Sequence, residues 1–229
     1  MEMTVIVAAA GSGSRMGVGK NKTLLTLAGR PVLQWSLALF QDSAPVREII
    51  VAAAETDMAE IRHICLPFSK VRTIIGGGVS RAASVAAALS RVNPDMDRVA
   101  VHDAARPLLH PEDWQALLEA AALHDAVLLA APLVDSIKAV EQGAVVRTIP
   151  REQVMAAQTP QIFAYPLLLE AYRSGVRNGQ NATDDAELVE RQGAPVQVVT
   201  ARHPNFKLTY QNDLLLAELL LRKRLVGQA

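Results

Sequence analysis

Cysteine is almost missing from this chain of 229 residues: Cys65 is the only one. A single thiol excludes an intrachain disulfide framework, and no ligand partner is spaced around it for a metal. It reads as a buried thiol in a reducing compartment. An excess of either charge is missing too, since 23 basic side chains face 23 acidic ones. That balance argues against a nucleic-acid backbone or an anionic membrane as partner, so any bound anion has to be met by a local cluster. Long apolar runs are also absent. The stretch from Ala126 to Leu133 is too short to span a bilayer, and the start of the chain carries no basic segment followed by an apolar one. These absences predict a cytoplasmic protein. There is no internal repeat and no low-complexity tract.

What is present is a large apolar fraction, 50%, in a length that suits one α/β domain over residues 1–229. Short aliphatic runs alternate with segments of helical period. Strands are expected at Thr4 to Ala9, Glu48 to Ala53, Val71 to Ile75, Arg98 to Val101, Ala126 to Ala131 and Val196 to Thr200. Helices are expected at Val32 to Gln41, Met58 to Ile64, Arg81 to Ser90, Glu112 to Leu123, Asp184 to Gln192 and Asn212 to Leu225. Such alternation predicts crossover units and a Rossmann-like three-layer sandwich, a mainly parallel twisted sheet with helices on both faces. Ser80 suits a helix N-cap, and Pro111 with Glu112 and Asp113 suits a first turn. One region departs from the pattern. Ser136 to Val140 and Val145 to Ile149 flank Gly143 and predict a protruding β-hairpin, an arm inserted at 135–151. A lone hairpin has little core of its own, so a second subunit is its expected support.

After the first strand comes Ala8 to Gly17, AAAGSGSRMG, in which small residues let the backbone approach a ligand and aim N–H groups at phosphate oxygens. A dinucleotide fingerprint needs glycine three places after Gly13, where Met16 stands, which weakens a nicotinamide-dependent oxidoreductase. A P-loop fails as well, because Ser14 stands where its first glycine should and Asn21 follows Lys20. Arg15, Lys20 and Lys22 then cluster in a glycine-bearing loop of a neutral chain, which suits a polyphosphate; the alternative is a solvated basic loop between a strand and a helix. Trp35 and Trp114 fall in helical segments and read as packing residues.

The loop, followed by Lys22, Leu24 and Leu25, resembles the signature of sugar-nucleotidyltransferases. With Gly77, Gly78, Arg81 and Ser84, the run HDAARP from His102 to Pro107, the run from Ala131 to Lys138, and Gln158 to Gln161, the whole chain is similar to the 2-C-methyl-D-erythritol 4-phosphate cytidylyltransferases. The resemblance implies transfer of CMP from CTP to the polyol phosphate with loss of pyrophosphate. It implies Ala9, Ala10, Gly11, Gly78, Ser84, Asp103 and Ala104 at CTP, and Arg15, Lys22 and Lys207 as the catalytic cations. It implies Arg106, Thr159 and Thr183 at the acceptor, Ser136 and Arg151 supplied by the arm of a homodimer, and Mg²⁺ at Asp103. Two positions depart from the family pattern: Asn21 stands where proline is usual before the lysine, and Val79 where an acidic residue is usual.

The chemistry explains the emphasis on cations. Two anions must meet, and the acceptor phosphate is already a nucleophile at neutral pH, so neutralising charge matters more than a strong base. His102 therefore reads as structural. Asp103 alternatively reads as a cap or a partner of Arg106, and Asp184 and Asp185 read as carboxylates at a helix start, for capping and favourable interaction with the helix dipole. Ribitol 5-phosphate cytidylyltransferases share the loop motifs, although Leu129 to Pro132 and the second alanine of HDAARP fit the methylerythritol family better. A nucleotide-binding module without catalysis is the remaining alternative.

Overall fold

The computed structural model describes residues 1–11, 21–177 and 182–227. The strands are β1 (Met3–Ala9), β2 (Thr26–Leu27), β3 (Arg30–Pro31), β4 (Val46–Ala53), β5 (Val71–Gly76), β6 (Arg98–Asp103), β7 (Ala126–Pro132), β8 (Ile137–Glu141), β9 (Ala144–Ile149), β10 (Met155–Ala164) and β11 (Gln197–Thr200). The helices are α1 (Val32–Asp42), α2 (Met58–Cys65), α3 (Arg81–Leu89), α4 (Pro111–Leu123), α5 (Tyr165–Arg177), α6 (Asp185–Glu190) and α7 (Gln211–Gly227).

Seven strands form one sheet in the order β11-β7-β10-β6-β1-β4-β5. All neighbouring pairs are parallel except those of β10, which runs antiparallel to both β6 and β7. Because helices cover both faces, β1 is apolar at every position but Thr4 instead of alternating. Its side chains divide by the period of two. Val5 and Val7 face a layer of Leu33, Leu37, Phe40, Ile61, Trp114 and Leu117, from α1, α2 and α4. Ile6 faces Val85, Leu89, Leu168, Tyr172 and Val189, from α3, α5 and α6. A third cluster joins α7 to the β2–β3 turn through Leu27, Leu208, Ala217 and Leu221.

The expected strands and helices all form, with boundaries moved by at most a few residues. β10, α5 and the small β2–β3 hairpin were not expected. β10 contains Gln158, Thr159, Pro160 and Gln161, a polar, proline-bearing run that reads as loop, and it enters the sheet only by breaking register. Its pairing with β7 shifts between Ala157 and Gln161, so Pro160, which has no N–H, stays out of the ladder. The arm forms as expected, with Gln142 and Gly143 at φ 48° and 83° in the turn.

Cys65 is 5% exposed, and burial raises its pKa to about 11. Little thiolate forms at neutral pH, so native protein should react with a thiol reagent far more slowly than unfolded protein. A chromogenic disulfide assay with and without denaturant measures this. Equal rates would refute the assignment.

Candidate active site

β1 is flanked by β4 on one side and β6 on the other, both parallel to it. The chain leaves β1 toward β4 and β5 and later returns to β6, so the crevice beyond the carboxyl ends of β1 and β6 is a topological switch point, where open α/β sheets bind ligands. A cleft of ≈ 430 Å³ lies there, walled by Ala10 and Gly11 after β1, Lys22, Gly78 and Ser84 around α3, Asp103 at the end of β6, and Lys207. A second, of ≈ 250 Å³, is lined by Arg106, Gln158, Thr159, Thr183 and Asp184. Arg81, Asp103 and Lys207 line both clefts, so two reactants held side by side would meet at these three residues.

Each wall follows from local chemistry. Asn21 caps the short 3-10 turn Lys22–Leu24: its Oδ1 accepts from the Thr23 N–H at 3.1 Å, and its Nδ2 donates to the Ala9 carbonyl and to Asp57, both at 2.8 Å. The asparagine in the usual place of proline thus ties Lys22 to the end of β1 by hydrogen bonds instead of by a fixed φ. Lys22 is 8% exposed and faces the larger cleft. Ser80 caps α3, accepting from the Ala83 N–H as expected. Ser84 Oγ donates to the Ser80 carbonyl at 2.9 Å and accepts the Gly78 N–H at 3.0 Å, which fixes the glycine turn against the helix.

Gly77 allows that turn to close. A Cβ there would lie 2.4 Å from the Ala10 Cβ and 3.3 Å from the Ala53 carbonyl oxygen. Gly77→Ala should therefore push the β1 loop and the glycine turn apart, costing about 1–3 kcal/mol and raising the KM of the reactant held in the larger cleft. Urea unfolding with initial-rate kinetics tests it, and a variant with wild-type stability and KM would contradict the packing argument.

Asp103 joins the two clefts. Its Oδ1 accepts from Arg81 Nε at 2.8 Å and its Oδ2 from Lys207 Nζ at 2.6 Å, while its backbone N–H donates to Thr159 Oγ1 at 2.9 Å. Burial alone would raise the carboxyl pKa, but the two cations overcome it and hold the group well below the usual carboxylate range. The ion pair is therefore with Arg81 and Lys207, not with Arg106. Arg106 Nη1 donates instead to the Asn205 carbonyl at 2.8 Å, and its Nε is buried without a partner among the described residues. Asn205 Nδ2 donates to the Thr159 carbonyl and to Gln158, tying the C-terminal segment that brings Lys207 to β10.

His102 is structural, as expected. It is fully buried, with Nδ1 at 3.3 Å from Thr159 Oγ1 and Nε2 at 3.1 Å from Ser36 Oγ. Burial lowers its pKa to about 4, so it is neutral at pH 7. Asp184 caps α6, accepting from the Glu187 N–H at 3.0 Å, also as expected. Asp185 stands in the first turn of α6, as the helix-dipole reading expects, but it is not a cap: it is fully buried and accepts from Arg81 and from the Tyr172 hydroxyl.

Of the expected site residues, the structure gathers Ala10, Gly11, Lys22, Gly78, Ser84, Asp103 and Lys207 around the larger cleft and Arg106, Thr159 and Thr183 around the smaller. Ala9 and Ala104 are fully buried and line neither; Ala8 and Ala105 take the flanking wall positions. Ser136 and Arg151 are exposed on the arm and line neither cleft. Arg15 and Lys20 lie outside the described residues. Arg81 had no expected role, and the signal available was its place three residues before Ser84 in the glycine-led run.

A separate cluster stands outside the clefts. His110, Glu112 and His203 have ligand atoms all within 4.8 Å of one another, the two imidazoles stacked with centroids 3.6 Å apart. Its nitrogen-rich donor set suits a zinc-like ion better than Mg²⁺, which takes oxygen ligands. Among the described residues, no helix is long and apolar enough to cross a membrane.

Comparison with known proteins matches this architecture along nearly the whole chain. The family described as "2-C-methyl-D-erythritol 4-phosphate cytidylyltransferase" matches residues 3–223. A curated relative of that name from Symbiobacterium thermophilum is 45% identical, covering 96% of this chain and 93% of its own. The crystal structure of the Thermus thermophilus protein of the same name is 36% identical, with TM-score 0.80, over 97% of this chain and 100% of that one. The 4-diphosphocytidyl-2C-methyl-D-erythritol synthase from Anaerococcus prevotii is 27% identical, with TM-score 0.87, over 96% of each chain.

Proposed function

The chain belongs to the 2-C-methyl-D-erythritol 4-phosphate cytidylyltransferase family, and from that premise we propose how its own residues carry out the transfer of CMP from CTP to the polyol phosphate. CTP occupies the larger cleft, with its base toward Gly78 and Ser84, where backbone and hydroxyl groups distinguish amino from keto edges. The triphosphate runs from Gly11 toward Lys22, and Arg15 is assigned to it as a further cation. The polyol phosphate lies in the smaller cleft among Arg106, Thr159 and Thr183. Its phosphate oxygen attacks the α-phosphorus at the shared wall, and pyrophosphate leaves on the opposite side. Lys207 holds the crowded centre, and no residue is needed as a base. The observation that carries this reading is the set Arg81, Asp103 and Lys207 common to both clefts.

Mg²⁺ fits the larger cleft. Asp103 is its one carboxylate among the described lining residues, each of its oxygens keeps a second lone pair, and Mg²⁺ commonly binds through one carboxylate plus substrate phosphates and water. When bound it would neutralise triphosphate charge. The exposed Val140, Val145 and Val146 on the β8–β9 arm support a homodimer in which 135–151 reaches the partner's site and supplies Ser136 and Arg151. One domain over 1–229 and a cytoplasmic location complete the reading.

The test is pyrophosphate release from CTP and Mg²⁺ with 2-C-methyl-D-erythritol 4-phosphate and with ribitol 5-phosphate in separate assays. Rapid release with the first is expected. A clear preference for ribitol 5-phosphate would reverse the substrate, and tight CTP binding without product from either would leave a binding module.

A further inference from the structure

Arg81 is wedged between two carboxylates from distant parts of the chain. Its Nε donates to Asp103 at 2.8 Å and its Nη2 to Asp185 at 2.7 Å. Asp185 is fully buried and its other oxygen accepts from the Tyr172 hydroxyl. Burial would lower the pKa of the guanidinium, but Asp185 and Asp103 outweigh it and raise the value, so the charge is permanent. Two of the five N–H donors are spent on these carboxylates. Among the described residues nothing takes the Nη1 end, and the side chain borders both clefts.

A buried carboxylate so placed does more than balance charge. Asp103 is already engaged by Lys207, and with Asp103 as its sole anchor the arginine would be free to swing about that one bond. The second anchor, itself oriented by Tyr172, fixes the plane of the fork. The group transferred from one reactant to the other must cross the boundary at which that fork sits.

We propose that Arg81 is a catalytic cation at the junction of the two clefts, donating from its Nη1 end to the phosphoryl group in transfer, and that Asp185 is its positioning residue. This rests on the cytidylyltransferase reading. Planar, preorganised donors stabilise charge that develops in a transition state without reorganising during the reaction. Removing the donor should therefore lower kcat more than it raises either KM.

The experiment measures steady-state kinetics of wild type, Arg81→Lys, Arg81→Ala and Asp185→Asn, with thermal unfolding of each. Asp185→Asn keeps the shape and an acceptor for Tyr172 while removing the charge. Arg81→Lys should lower kcat about a hundredfold and Asp185→Asn about tenfold, with both KM values within about threefold of wild type. Guanidinium at non-denaturing concentration should restore part of the kcat of Arg81→Ala, which a purely structural role would not allow. Near wild-type kcat in folded Arg81→Ala, or a kcat loss that guanidinium does not relieve, overturns the proposal. Absence of turnover in wild type sinks the functional reading instead, so the two failures are distinguishable.

Discussion

Replacing Lys207 or Lys22 by alanine should lower kcat at saturating CTP and polyol phosphate by roughly a hundredfold or more, the loss typical when one preorganised donor to a developing charge is removed. The two lysines are held in different ways. Lys207 reaches Asp103 at 2.6 Å from a segment pinned through Asn205 to β10, whereas Lys22 rides on a turn capped by Asn21. Both face the cleft where the triphosphate is proposed to lie. The neutralisation they supply is needed most when the acceptor phosphate closes on the α-phosphorus, so the deficit should appear in kcat rather than only in KM. Arg15→Ala carries the same expectation. Single-turnover measurement of pyrophosphate release separates chemistry from product dissociation, and wild-type turnover in any of these variants would remove that residue from the catalytic set.

Asp103→Asn should affect folding and activity together. The amide cannot balance the positive charges of Arg81 and Lys207, and removing one partner of a buried ion pair costs about 3–5 kcal/mol. Here the lower end, about 3 kcal/mol, is expected, since the Arg81 and Lys207 side chains are 26% and 32% exposed. The pH dependence has a definite sign. The folded carboxyl has its pKa depressed below the unfolded value, so its contribution is complete above about pH 4 and is lost as pH falls from there toward the folded pKa. The gap in urea midpoint between wild type and variant should thus be smaller at pH 3 than at pH 7. A constant difference at both values would show that the charge of Asp103 is not what stabilises the fold, and unchanged kcat would take it out of the site.

Much of the architecture was legible because strands buried on both faces are apolar throughout and covering helices carry a period near 3.6. β1, β4 and α1 announce themselves on those grounds. The arm was legible for a different reason, since Gly143 between two alternating runs specifies a tight turn. The site residues near glycine turns and strand ends were found through motifs, and most of them meet around the two clefts. Asp185 was legible as a first-turn carboxylate but not as a buried ion-pair partner, because a helix start suits both. Only its burial against Arg81 and Tyr172, from α3 and α5, separates the two roles, and burial is not a local property.

The residues alone determined the fold class, the neutral surface with a local cationic loop, and the membership of the chain in its family, because hydrophobic period, charge and motif spacing are written along one dimension. Tertiary structure decided the rest. β10 became a strand only because β6 and β7 leave a slot with unpaired backbone groups that an irregular, polar segment satisfies through a register shift. Arg81, Asp103, Asp185 and Lys207 became one network only because crossovers bring distant segments to the same end of the sheet, beyond the central strand β6. The strength of such charges is set by burial and proximity, which exist only once the chain has folded.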